Sequence, residues 1–162
     1  MWRDRRGFSL IELVITIVLM GILVGSAATM FGYLRYADTK EAAEKVNMEL
    51  SNLRIDTMSK TGTRKYLYIY LVPGDGYYLR VLDKKPEETD GMLNADGTRL
   101  CGTNVTISDA IGGSALPEGE KIWVAYTKSG LFLDDAAKYI EIRGRGTYTI
   151  CLDGVSGRHY FK

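Results

Sequence analysis

Residues 1–34 read MWRDRRGFSLIELVITIVLMGILVGSAATMFGYL, and the fold is organised around this stretch. Arg3, Asp4, Arg5 and Arg6 lead to a Gly7-Phe8 junction, and from Phe8 to Leu34 the one charged side chain is Glu12. About 20 apolar residues rising 1.5 Å each cross a bilayer core, so residues 8–34 are long enough to span a membrane with tilt. With the arginines on the N-terminal flank, the positive-inside rule places Met1 in the cytoplasm and everything after Leu34 outside, in a single pass of the cytoplasmic membrane. Glu12 is the anomaly. A carboxylate near the start of a span costs roughly 2.5–3.5 kcal/mol on insertion scales, which points to a functional group with a partner. Its own helix supplies no cation. The leader arginines lie just upstream, and an amine created by cutting between Gly7 and Phe8 is a better counter-charge.

The stretch G-F-S-L-I-E-L, with a charged leader before Gly7 and Glu12 fifth after the junction, resembles the prepilin signal of type IV pilins and type II secretion pseudopilins. The resemblance covers residues 1–35. It implies removal of a leader, residues 1–7, by a prepilin peptidase, methylation of the new Phe8 amine, and assembly through Glu12 facing the amine of a neighbouring subunit. The implied partners are that peptidase, other pilin or pseudopilin subunits and an inner-membrane assembly platform, and the implied end state is an extracellular or periplasmic filament.

Two plainer accounts compete. An ordinary secretory signal has an apolar region of 7–15 residues, and Ser26-Ala27-Ala28 offers a small-residue cleavage site, but the run from Phe8 is longer and contains Glu12. A simple one-span anchor explains neither Glu12 nor the Gly-Phe junction.

Beyond the anchor, the 162-residue chain leaves enough for one compact domain. Charged residues at 25% and hydrophobic ones at 46% predict a buried core. The formal charge is +1 and the leader holds three Arg against one Asp, so the mature side chains sum to −1 and carry no bulk affinity for polyanions. One His and two Cys are too few for the common zinc clusters, and no metal or cofactor is expected.

Tyr36, Thr39, Ala43, Val46, Leu50, Leu53 and Thr57 recur every three or four residues, so residues 35–62 predict an amphipathic half of the same helix, with Glu41-Lys45 and Asp56-Lys60 pairs on other faces and a stop at Gly62. Residues 63–162 predict a β-rich domain, giving an α+β fold with one long helix packed on an antiparallel β-sheet or small β-sandwich. In RKYLYIYLV, Leu67, Ile69 and Leu71 alternate with Tyr66, Tyr68 and Tyr70, a half-buried strand whose tyrosine row is expected to face solvent or another subunit. A Pro73-Gly76 turn and YYLRVL complete a hairpin. Residues 83–120 form an acidic, irregular insertion in which only NVTIS looks like a strand. Asn94, Asp96 and Gly97 lack the downstream Glu of a calcium loop and are taken as a turn. KIWVAYT, LFL, YIEIR, TYTICLD and RHYFK then predict strands joined by glycine turns.

That closing rhythm resembles minor pseudopilins of the H family and related minor type IV pilins, which implies a minor subunit. The two cysteines, Cys101 and Cys151, lie in the exported part, so a disulfide between them is expected, with two reduced thiols as the alternative. Arg143, Arg145, Arg158 and Lys162 oppose only Asp153 and are interleaved with Tyr148, Tyr160 and Phe161, a mixture nucleic-acid surfaces use. Gly157-Arg158 resembles the first half of a Gly-Arg-x-Arg tail of DNA-binding minor pilins, so DNA is a candidate partner. Catalysis is not expected. The sole histidine, His159, follows no nucleophile elbow, and Asp134-Asp135 reads as a solvated turn. Structural subunit, DNA-capturing subunit and anchored exported protein that never polymerises are the function classes left open.

Overall fold

The computed structural model describes residues 9–59, 63–89, 91–133 and 136–162, with no side chains described from Ala27 to Tyr36. The chain divides into two units, Met1–Leu34 and Arg35–Lys162. One helix, α1 (Leu10–Ser59), contributes to both.

The second unit is built where α1 acquires an apolar stripe. Thr39, Ala42, Ala43, Val46, Leu50 and Leu53 are buried at three- and four-residue spacing, one face of a 3.6-residue repeat. Thr57 is half-buried and its hydroxyl donates to the Leu53 carbonyl at 2.8 Å. The Glu41–Lys45 pair forms at 2.8 Å, whereas Asp56 meets Lys65 at 2.9 Å. Lys60 and Gly62, expected as its partner and as the helix stop, lie outside the described residues.

Among the described residues, eight strands make two four-stranded antiparallel sheets: β1 (Tyr66–Val72), β2 (Gly76–Leu82), β3 (Thr98–Cys101) and β5 (Lys121–Ala125) in the order β3-β2-β1-β5, and β4 (Thr106–Ser108), β6 (Tyr139–Arg143), β7 (Thr147–Asp153) and β8 (Arg158–Phe161) in the order β4-β6-β7-β8. The β1–β2 hairpin follows from Pro73-Gly74-Asp75, Gly74 taking φ +78° as only glycine does without strain. Leu67, Ile69, Leu79, Ile122 and Val124 of the first sheet and Ile107, Ile140, Ile142, Ile150 and Leu152 of the second share one core with the α1 stripe. Each fully buried aliphatic side chain there contributes about 1.5–3 kcal/mol. The fold is α+β, a helix packed on antiparallel sheets. LFL forms an isolated bridge, Tyr126 to Phe132, rather than a strand, with the Thr127 amide donating to Leu131 O at 2.8 Å and the Leu133 amide to Ala125 O at 3.1 Å.

The tyrosine row corrects the expected solvent face. Tyr66, Tyr68, Tyr70 and Tyr78 are all buried, in a second cluster on the far side of the first sheet with Ala125 and, at its margin, Trp123, Leu93 and Leu133. The acidic insertion covers them. Tyr68 Oη donates to the Lys84 carbonyl and Tyr70 Oη to the Asn94 carbonyl, each at 2.6 Å, while Arg80 Nη1 donates to Met92 O at 2.6 Å and Lys121 Nζ to Thr89 Oγ1 at 2.7 Å. Tyrosine suits this place because its ring buries area while its hydroxyl satisfies the carbonyls of an irregular loop. Asn94 Oδ1 accepts from Asp96 N at 3.2 Å and from Arg80 Nη1 at 3.2 Å, so the calcium-like trio is an Asx turn within this cover.

Candidate functional site

Gly7 and Phe8, the expected cleavage and methylation site, lie outside the described residues; the description begins at Ser9, which caps α1. The Glu12 amide donates to Ser9 Oγ at 3.3 Å and to Ser9 O at 3.1 Å, and the Leu13 amide to Ser9 O at 3.2 Å. Ser9-Leu10-Ile11-Glu12 is thereby the S-x-x-E arrangement of a capping box, with a carboxylate in the first turn where the helix dipole favours negative charge. Glu12 thus sits in the first turn of α1, and it is the residue that the prepilin resemblance singles out for assembly. Around it the helix is apolar on every side: Leu10, Leu13, Ile17 and Val24 are more than half exposed, and Val14 nearly so. A helix apolar all round needs lipid or other helices to cover it. Among the described residues no helix is long and apolar enough to cross a membrane; the expected span continues to Leu34, into the stretch without described side chains.

The four candidate DNA-binding bases do not form one patch. Arg143 and Arg145 sit at the β6–β7 turn, and Lys162, whose amide donates to Thr149 O at 2.8 Å, lies towards that end. Arg158 opposes Asp153 at the other end of β7, about 20 Å away at 3.3 Å per residue. Arg143 also turns its guanidinium onto Glu141, a buried carboxylate that accepts from the Gly112 amide at 3.1 Å. The Gly112 hydrogen bond and Arg143 hold Glu141 below the usual carboxylate range. Of the rings expected to stack on bases, Tyr148 packs on the core and meets Phe161 edge-on at 6.3 Å between centroids, while Phe161 and Tyr160 are themselves exposed. Charges close in sequence are dispersed because successive antiparallel turns fall at opposite ends of a sheet.

The expected Cys101–Cys151 bridge is not formed; both thiols are free and buried. Cys101, on β3, points into the shared core, where burial pushes its pKa up to about 12. Cys151 lies on β7 between Ile150 and Leu152, which enter that core, so strand alternation turns it to the far face of the other sheet. Lying together in the part expected to be exported did not place the two cysteines on facing sides. Asp134 and Asp135 lie outside the described residues.

His159, near the last residue, is held on both ring nitrogens. Ser51 Oγ on α1 lies 3.1 Å from Nε2, and Tyr126 Oη lies 3.2 Å from Nδ1. The site resembles a nucleophile with an oriented base, yet Ser51 directs its own proton to the Asn47 carbonyl at 3.0 Å, the reverse of what a serine nucleophile needs from an imidazole. Alternation in R-H-Y-F, pairing His159 with Leu152 and Phe161 with Ile150, was the sequence signal for this inward histidine.

Residues 2–28 match the family model described as the prokaryotic N-terminal methylation motif. No curated protein matches the chain. Among solved structures, the chain is similar to the type IV minor pilin FimU of Pseudomonas aeruginosa, at 16% identity over 80% of this chain and 92% of that one, with a TM-score of 0.47. The chain thus carries the prepilin-type N-terminal methylation motif, joined to an α+β domain with antiparallel sheets.

Proposed function

We propose that the chain is a minor subunit of a pilus or pseudopilus, cut after Gly7 by a prepilin peptidase, methylated at Phe8, and assembled through α1 with other pilin or pseudopilin subunits on an inner-membrane platform. The observation that carries this reading is the methylation motif over residues 2–28, laid on a helix whose first turn holds Glu12 and whose apolar side chains from Leu10 to Val24 are exposed among the described residues. Lipid covers those side chains before assembly, anchoring the chain in the cytoplasmic membrane with its first residues inside, and neighbouring α1 helices cover them afterwards. The amine of one subunit and the Glu12 carboxylate of the next form an ion pair that a low-dielectric filament core strengthens.

The test is fractionation of sheared surface filaments and membranes from the host, with antibody detection of the chain. Recovery of a processed chain in the filament fraction, at low abundance relative to the principal subunit, is the expected result. A processed chain that stays with the membrane under conditions where filaments form contradicts the subunit role and leaves an anchored exported protein.

A further inference from the structure

We propose that His159 is a proton-operated latch, which clamps the last strand, β8, against α1 while its ring is neutral and loosens that strand when the ring is protonated. The hydrogen-bond pattern assigns the tautomer. Ser51 Oγ gives its proton to the Asn47 carbonyl at 3.0 Å, so towards His159 it acts as an acceptor and Nε2 carries the hydrogen. Nδ1 is then left unprotonated and accepts the Tyr126 hydroxyl at 3.2 Å. The ring joins three parts of the domain: α1, the segment after β5, and β8.

Protonation at Nδ1 removes the acceptor that Tyr126 uses. Tyr126 is fully buried, packed against Phe132 at 4.5 Å between centroids, and His159 is the one hydrogen-bond partner its hydroxyl has among the described residues. Its O–H must turn away unsatisfied, at the cost of a buried polar group. The charged group facing the ring is Arg54 of α1, which repels an imidazolium; the Asn47 carbonyl favours the charge, and burial opposes it. Burial dominates and the histidine titrates below its ordinary range. A histidine lowered in this way holds a proton more readily in the open state than in the closed one. The latch is therefore fully engaged above the ordinary histidine pKa of about 6.5 and weakens as pH falls below it.

β8 is suited to respond. It is a four-residue strand at the edge of its sheet, paired on one side only with β7. A second tie holds the neighbouring turn, Arg54 Nη2 donating to Ser156 O at 3.3 Å. Gly157 there, at φ +64°, lets the turn approach the Gly130 carbonyl more closely than any Cβ permits. Loosening is thus confined to β8, whose departure uncovers Tyr148 and the open edge of β7.

The experiment is amide hydrogen exchange, corrected for intrinsic rates, on the full chain in detergent at pH 7.5 and pH 5.0. In the wild type, exchange over residues 158–161 is expected to rise several-fold on acidification while the β1–β2 hairpin stays unchanged. His159→Gln keeps a donor and an acceptor but does not titrate, and its β8 exchange is expected to be flat with pH. Equal β8 exchange at both pH values in the wild type, or a wild-type rise retained in His159→Gln, overturns the latch. An independent check needs no variant. Because His159 is the sole histidine, its ring 15N shifts at pH 7.5 read the tautomer directly: protonated Nε2 with bare Nδ1 is expected, and the opposite tautomer overturns the assignment.

Discussion

Glu12→Leu is expected to leave cleavage after Gly7 intact while lowering incorporation into filaments by roughly 10²- to 4 × 10³-fold. Removing one partner of a buried ion pair strands the other, which costs about 3–5 kcal/mol, and each 1.4 kcal/mol is a factor of ten. Glu12 has a second job, because Ser9 caps the turn that contains it. Glu12→Gln separates the two. Glutamine also serves at this capping-box position, so the start of α1 is kept while the charge is lost. The expected outcome is that Glu12→Gln assembles nearly as poorly as Glu12→Leu. Wild-type incorporation of Glu12→Gln, read by the same filament fractionation, makes Glu12 a helix-capping residue and removes it from assembly.

Tyr68→Ala is expected to destabilise the Arg35–Lys162 unit by about 3–5 kcal/mol, the range for emptying a buried aromatic site. Tyr68 is fully buried between the first sheet and the acidic insertion, and its hydroxyl holds the Lys84 carbonyl at 2.6 Å. Tyr68→Phe keeps the ring and loses only that bond, for about 1 kcal/mol. Denaturant unfolding with tryptophan fluorescence reports both, since Trp123 borders the same cluster. If Tyr68→Ala unfolds within about 1 kcal/mol of the wild type, the insertion is not a cover that the domain depends on.

The tyrosine face shows where sequence periodicity stops informing. Alternation correctly separated Leu67 and Ile69 from Tyr66, Tyr68 and Tyr70, but it describes a strand and not what lies on its far side. The carbonyls that satisfy Tyr68 and Tyr70 belong to Lys84 and Asn94, in a loop with no periodicity of its own. β3 escaped for a related reason: Thr98 and Arg99 are exposed, and only Leu100 and Cys101 are buried, too short a pattern to stand out between glycines. The α1 stripe was legible because a single continuous repeat from Thr39 to Leu53 points one way throughout. At the candidate sites, relations that need two strands were not legible in the sequence. Ser9 and Glu12, by contrast, are three residues apart on one helix, and their hydrogen bond is local to one turn. Cys101 with Cys151, and Arg143 with Arg158, depended on which strand face and which strand end each residue takes, and antiparallel topology separates both pairs. His159 lies near the last residue, and it is its register opposite Leu152 that turns it inward.

The most direct measurement is the intact mass and N-terminal sequence of the chain recovered from host membranes. The account predicts a polypeptide that begins at Phe8 and carries one added methyl group on its amine. A chain that still begins at Met1, or one that begins at Thr29 after cleavage by signal peptidase, contradicts it.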